Sequence, residues 1–171
     1  MELLPITLDD LPLYEAVHCD PRMMEHLGGP LPRDGMADKL RRDVATTEAG
    51  ETWVLKVIPD PTTGVAAGTV SLWDHEVDGQ PVTEMGWMIL PEFQGRGLGS
   101  RAVRAALDRA RVTGRWTVIN AYPPVSNPAS NAMCRKNGFV FVRERDFEYR
   151  GHVLRCNQWM IDLKTSAGEV G

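Results

Sequence analysis

The 171 residues contain three cysteines, Cys19, Cys134 and Cys156, and these are scattered and have no C-x-x-C pairing. That excludes a disulfide framework and a paired-cysteine zinc site, and it fits a reducing compartment. No apolar run approaches the ~18–20 residues that span a membrane. Met1-Glu2-Leu3-Leu4-Pro5 lacks a basic segment followed by a long apolar stretch, so no signal peptide is expected. The four histidines show no H-x-x-x-H or other ligand spacing, which argues against a metal. A net charge of −4 leaves no broad basic surface for nucleic acid. The expectation is a cytoplasmic protein with no metal, membrane or nucleic-acid partner. The length suits one domain over residues 1–163 with a real core. Lys164–Gly171 (KTSAGEVG) has nothing to bury and is expected to be a disordered tail.

Turn residues and changes of period divide the rest. A strand is expected at Leu3–Leu8, then a helix capped by Asp9 or Asp10 and running to about Cys19. After Gly28-Gly29-Pro30-Leu31-Pro32 a second helix is expected from about Arg33 to Ala49. Trp53–Ile58, Val65–Trp73 and Val82–Leu90 read as antiparallel strands separated by Asp60–Gly64 and Asp78–Pro81. A helix follows to about Thr113, with the stripe Leu98, Ala102, Val103, Ala106, Leu107 and Ala110. Trp116–Ala121 reads as a strand parallel to Val82–Leu90. Asn127-Pro128 opens a short helix that Asn137-Gly138 closes. Phe139–Tyr149 and Val153–Leu163 form a hairpin around Arg150-Gly151. The fold class is α/β: a mixed, mostly antiparallel sheet of about seven strands with about four helices on its faces.

The segment Gln94-Gly95-Arg96-Gly97-Leu98-Gly99-Ser100 sits between an apolar strand and a helix. Its glycines permit a tight turn that aims backbone N–H groups at an anion, where the helix dipole also favours negative charge. A P-loop would need Gly-Lys-Ser/Thr, and the lysine is missing. A dinucleotide fingerprint would need a glycine where Ser100 stands. The pattern Q/R-x-x-G-x-G/A fits position by position from Gln94 to Gly99. A glycine-rich start to the helix with no ligand is the remaining reading.

That pattern resembles the acyl-CoA loop of the GNAT N-acetyltransferase superfamily. The resemblance extends over nearly the whole chain. Leu8-Asp9-Asp10-Leu11-Pro12, His26-Leu27-Gly28-Gly29-Pro30, Glu84-Met85-Gly86-Trp87 and Leu90–Gly99 are similar to the branch that includes ribosomal-protein N-terminal acetyltransferases. Asn127–Phe139 resembles the family's block N-x-x-A/S-x-x-x-Y-x-x-x-G-F.

The resemblance implies that Gln94–Ser100 hold the pyrophosphate of acetyl-CoA. It implies too that the strand end Met88-Ile89-Leu90 offers backbone groups to the pantetheine arm and the acetyl carbonyl. Asn127 would bind that arm, and Ser130 either contacts the coenzyme or steadies its own helical turn. Glu84 is the candidate general base, since an amine must lose a proton to attack a thioester; a salt-bridged strand glutamate is the alternative. Cys134 stands where many relatives have a tyrosine acid, so it is either a proton donor or a small buried hydrophobe. Among the arginines at 96, 101, 104, 109, 111 and 115, Arg96 and Arg101 are candidates for the phosphates, the others being read as a solvated face. His26 and Leu27 would border the acceptor pocket. The implied activity is transfer of an acetyl group to a primary amine, on a small molecule or a peptide N-terminus. A different acyl group, or a catalytically silent acyl-CoA sensor, remains as a rival. A homodimer is compatible with an open sheet edge.

Overall fold

The computed structural model describes residues 1–164; of the expected tail Lys164–Gly171, Lys164 is held in a turn, its N–H donating to the Asp162 carboxylate at 2.8 Å, and residues 165–171 lie outside the described residues. Along the chain run β1 (Glu2–Pro5), α1 (Leu11–His18), α2 (Met36–Glu48), β2 (Trp53–Ile58), β3 (Gly68–Val77) and β4 (Gln80–Ile89). They are followed by α3 (Leu98–Thr113), β5 (Val118–Ala121), α4 (Pro128–Lys136), β6 (Val140–Tyr149) and β7 (His152–Asp162). The strands form one sheet in the order β1-β2-β3-β4-β5-β7-β6. Every neighbouring pair is antiparallel except β4–β5, which is parallel.

Strand alternation decides what each face of the sheet buries. Val57, Val70, Leu72, Met85 and Ile89 pack against α3, whose stripe Leu98, Ala102, Val103, Ala106, Leu107 and Ala110 is fully buried as its period predicts. On the other face Ile6 and Val54 meet Tyr14 of α1 and Met36, Leu40 and Val44 of α2. The result is a three-layer arrangement. Each large aliphatic side chain so buried contributes about 1.5–3 kcal/mol relative to exposure.

Several boundaries differ from the sequence reading, each for a local reason. β1 stops at Pro5, because Thr7–Asp10 folds into a tight turn in which the Asp10 carboxylate accepts the Thr7 N–H at 2.7 Å. That carboxylate also takes Lys56 Nζ at 2.9 Å, so it ties the turn to β2 and makes no side-chain cap on α1. α2 starts at Met36, after Gly35 in a left-handed conformation. β3 begins at Gly68 and runs on to Val77, because the two residues Asp78 and Gly79 (φ 52° and 71°) complete the hairpin alone. Trp116 lies outside β5: its indole N–H is held by the Asp74 carboxylate at 3.0 Å and its ring sits edge-on to Trp53.

The parallel seam is short. β4 and β5 share one bridged pair, Glu84 with Asn120, and beyond it the strands part. The cause is in the sequence: Pro123 and Pro124 follow β5 and carry no N–H for a ladder.

Candidate active site

The parted seam turns one edge of β4 into an open row of peptide groups. Leu90 N–H donates to the Ala67 carbonyl at 2.8 Å, so ladder alternation makes Met88–Thr69 a bonded pair. Trp87 and Ile89 therefore direct their N–H and C=O toward the cleft, whereas the backbone groups of Met88 and Leu90 are turned to β3. Of the expected trio, Ile89 offers its backbone to the cleft, and Trp87 joins it. The Ile89 carbonyl accepts Gln94 Nε2 at 2.7 Å, which fixes the start of the glycine loop against the strand end. The side chains of Met88 and Leu90 pack with Leu13 and Val17 of α1.

Beyond Gln94 the loop reverses through Gly95 and Gly97, both left-handed (φ 74° and 71°), and Gly97 caps α3. Leu98 is buried as the first helical residue. At Gly99 a β-carbon would stand 3.1 Å from Met133 Sδ and 3.3 Å from Ile89 Cγ1, so a side chain there would crowd the loop against α4. Arg101 Nη1 donates to the Arg96 carbonyl at 3.1 Å. Ser100 Oγ accepts from Asn137 Nδ2 at 3.2 Å, which ties the loop's end to the end of α4.

A pocket of about 490 Å³ opens beside the loop, lined by Arg96, Gly97, Ser100, Arg101, Arg104 and Lys136. Four cations and a helix N-terminus, with no acidic residue on the lining, suit a ligand carrying several phosphates. Arg104, expected on a solvated face, lines the pocket instead, and Lys136 was not singled out in the sequence. Arg104 was legible as the residue one turn after Arg101, but Lys136 arrives from α4 and needs the tertiary structure.

α4 forms the opposite wall. Asn127 caps it by accepting the Ser130 N–H at 3.0 Å, with Pro128 in the first turn. Behind them, buried Asn131 donates to the carbonyls of Pro124 and Asn127 and accepts from Asn157 and Trp159. The loop between α1 and α2 closes the far side. His26 Nδ1 lies 3.2 Å from Ser126 Oγ, and Leu27 ends a short turn beside it. Arg150, at the tip of the β6–β7 hairpin, donates to the Gly29 carbonyl at 2.8 Å.

Glu84 sits where the seam begins to open. His75 Nε2 lies 2.9 Å from its carboxylate, an ion pair whenever the ring is protonated, without the alignment of an ideal hydrogen bond. The neighbouring Glu84 carboxylate raises the imidazole pKa above its ordinary 6.5, against a smaller opposing effect of burial. Tyr122, just past β5, has a buried hydroxyl with no hydrogen-bond partner. Burial first, and then the Glu84 charge, raise its pKa. The buried Cys156 thiol is pushed up to about 11, again by burial and then by Glu84. Cys134 belongs to the core beneath α3, and burial pushes its thiol up to about 12. His75, Tyr122 and Cys156 were not singled out in the sequence. The Asp78-Gly79 turn was the signal for His75, because a two-residue turn fixes the register that pairs Trp73 with Glu84.

Among the described residues, no group of three or more His, Cys, Asp or Glu is placed to hold a metal ion. No described helix is long and apolar enough to cross a membrane.

Solved structures share this architecture at low sequence identity. A ribosomal L7/L12 α-N-protein acetyltransferase in complex with coenzyme A matches with a TM-score of 0.78 at 19% identity, over 94% of this chain and 92% of that one. A Salmonella typhimurium acetyltransferase that modifies the N-terminal serine of L7/L12 matches with a TM-score of 0.77 at 16% identity, over 94% and 93%. Spermidine N-acetyltransferase from Vibrio cholerae, in complex with CoA and spermine, matches with a TM-score of 0.77 at 18% identity, over 95% of each chain. These likenesses concern the fold. The family model described as acetyltransferase (GNAT) domain matches residues 1–140, the span from β1 to the start of β6 that holds the parted seam, the glycine loop and α4. By that match and this architecture, the chain belongs to the GNAT acetyltransferase family.

Proposed function

We propose that the protein transfers an acetyl group from acetyl-CoA to a primary amine by direct attack in a ternary complex. The observation that carries this reading is the parted β4–β5 seam, with a basic glycine loop at its mouth and Glu84 at its inner end. Arg96, Arg101, Arg104, Lys136 and the N–H groups around Gly97 hold the phosphates. The outward peptide units of Trp87 and Ile89 stand about 7 Å apart, the repeat with which an extended amide chain pairs as an added strand. Asn127 faces the pantetheine arm from the opposite wall. An outward N–H of the β4 edge polarises the thioester carbonyl. Glu84 takes the amine's proton, directly or through water, as the nitrogen attacks.

The thiolate that departs collects its proton from solvent. Cys134 is a poor donor for this purpose, because a thiol held near 12 is a weaker acid than an ordinary thiol near 8.5. Its burial supports the role of a small core residue.

The acceptor is a small-molecule amine or a peptide N-terminus; proteins of similar fold include enzymes acting on a ribosomal-protein N-terminus and on spermidine. The test is release of free thiol from acetyl-CoA with a panel of amines and N-terminal peptides. Turnover with at least one acceptor is expected, and Glu84→Gln should lower it by about 10²-fold. Coenzyme A binding by calorimetry without thiol release on any acceptor would favour a silent sensor. Equal rates with larger acyl groups would remove the preference for acetyl.

A further inference from the structure

Of the groups around Glu84 that the transfer step does not use, His75 is the one in contact with its carboxylate. His75 comes from β3, and its Nε2 stands 2.9 Å from Glu84 Oε2. The two side chains share a face: the register sets Trp73 against Glu84 and His75 against Val82, so His75 is the diagonal neighbour of Glu84. The Glu84 side chain is 20% exposed and that of His75 is 31% exposed. Of the pair, the imidazole has more access to water, through ring atoms other than the buried Nε2.

We propose that His75 is a positioning and proton-relay residue for Glu84, carrying to solvent the proton that the acceptor amine gives up. The inference rests on Glu84 acting as the base. In the transfer step the amine nitrogen forms the C–N bond and the C–S bond breaks with its electron pair going to sulfur. The N–H bond breaks with its pair staying on nitrogen, and the proton goes to a Glu84 oxygen. That O–H bond then breaks as Nε2–H forms, giving an imidazolium beside a carboxylate; Nε2 is buried, so the imidazolium gives up its other ring proton, on Nδ1, to water. Without an outlet, Glu84 would keep the proton in a half-enclosed site between turnovers.

Other groups around the pair set its field. On β3, Asp74 is engaged by Trp116 Nε1, Thr83 Oγ1 and Arg115, and it adds a further favourable charge for the imidazolium. Glu76 follows His75 on the same strand and contributes through its backbone. Beyond β5 stands Tyr122, and β7 supplies Cys156; the proximity of Glu84 favours the protonated form of each. From β6, Arg143 and Arg145 reach toward the seam but pair with Asp78 at the β3–β4 turn. The acidic neighbours explain why the imidazole holds its proton above the ordinary histidine range. A relay that is already protonated cannot accept, so turnover should fall as pH drops through the titration of His75.

The experiment is the pH profile of kcat for the wild type and His75→Gln, whose amide bonds to Glu84 but cannot titrate near neutrality. The wild type is expected to show an acid limb above pH 6.5, the ordinary histidine value. In His75→Gln that limb should move down by more than about one unit, with a plateau about 10-fold lower and KM for acetyl-CoA unchanged. A purely structural role would lower activity at every pH and leave the limb in place. A second readout needs no turnover. The chain has four histidines, so the His75 ring signal is assignable by NMR through loss in His75→Gln. Its midpoint should lie above 6.5 and fall in Glu84→Gln. An unmoved acid limb in His75→Gln, or a His75 midpoint unaffected by Glu84→Gln, overturns the relay. Full turnover by Glu84→Gln would instead remove the base reading itself, so the two failures are distinguishable.

Discussion

Trp159 and Asn131 meet through one hydrogen bond, the indole N–H donating to the amide Oδ1 at 2.9 Å. Both are buried, and the same oxygen also takes Asn157 Nδ2 at 2.7 Å. The Asn131 amide N–H groups hold the Pro124 and Asn127 carbonyls at 2.9 and 2.8 Å. Four bonds at one buried side chain join β7, α4 and the loop that leaves β5. Asn131→Ala would leave the Trp159 indole N–H unpaired in the interior and would take from the Pro124 and Asn127 carbonyls one of their two partners, the other being the backbone N–H of Asn127 and of Asn131 respectively. The expected loss is about 1–3 kcal/mol by urea denaturation. KM for acetyl-CoA should rise as well, because Asn127 is held by the same junction.

Arg104 and Lys136 line the basic pocket without being part of the glycine motif. Each is expected to help bind phosphate without touching the reacting atoms. Arg104→Gln and Lys136→Gln should each raise KM for acetyl-CoA by about 3–10-fold with kcat unchanged, and added salt should shrink the difference. Steady-state kinetics at two ionic strengths check this.

Gly99 separates stability from ligand binding. An alanine there gains up to about 1 kcal/mol of helix propensity. It also brings a methyl to 3.1 Å from Met133 Sδ, where the flexible thioether can give way, and 3.3 Å from Ile89 Cγ1 on the cleft edge. Gly99→Ala should therefore change the melting temperature little while raising KM for acetyl-CoA. A large fall in melting temperature with unchanged KM would contradict that account.

How much of this was legible in the sequence depends on the range of the interaction. The α3 stripe follows from local periodicity, and the loop's shape follows from glycines at alternate positions. Local spacing offers Asp9 or Asp10 as a cap for α1, yet the Asp10 carboxylate reaches Lys56 on β2. That choice depends on strand pairing. The open seam had a visible cause in Pro123-Pro124, but which β4 peptide units face it depends on ladder phase. The phase is fixed only once Leu90 is seen to bond Ala67. The Glu84 cluster needed register across three strands, and one-dimensional patterns do not carry it.

His18 gives the fold a predictable weakness toward acid. It ends α1, edge-on to the Tyr14 ring, and burial followed by the Lys39 charge lowers its pKa to about 4, from 6.5 in an unfolded chain. Between those values the unfolded chain binds more protons than the folded one. Stability therefore rises with pH across that window and is lost as pH falls through it, by about 2–3 kcal/mol at most. Melting temperatures between pH 7 and pH 4.5 should fall accordingly. In His18→Gln that slope should flatten, whatever its stability at pH 7.

Cys134→Ala tests the departing-thiol step. With the thiol enclosed in the core and pushed up to about 12, kcat should stay within about threefold of the wild type. A loss of two orders of magnitude would place the proton donor there.

The single bridge between Glu84 and Asn120 also bears on how the molecule holds together. The sheet is in effect a four-stranded half and a three-stranded half, sewn by one stitch and backed by α3 and α4. An extended arm lying along Trp87 and Ile89 would act as the missing stretch of ladder, so occupying the cleft would complete the fold as well as load the enzyme. Amide exchange at the seam should then be fastest in the free protein and slow most on binding, with the halves themselves little changed.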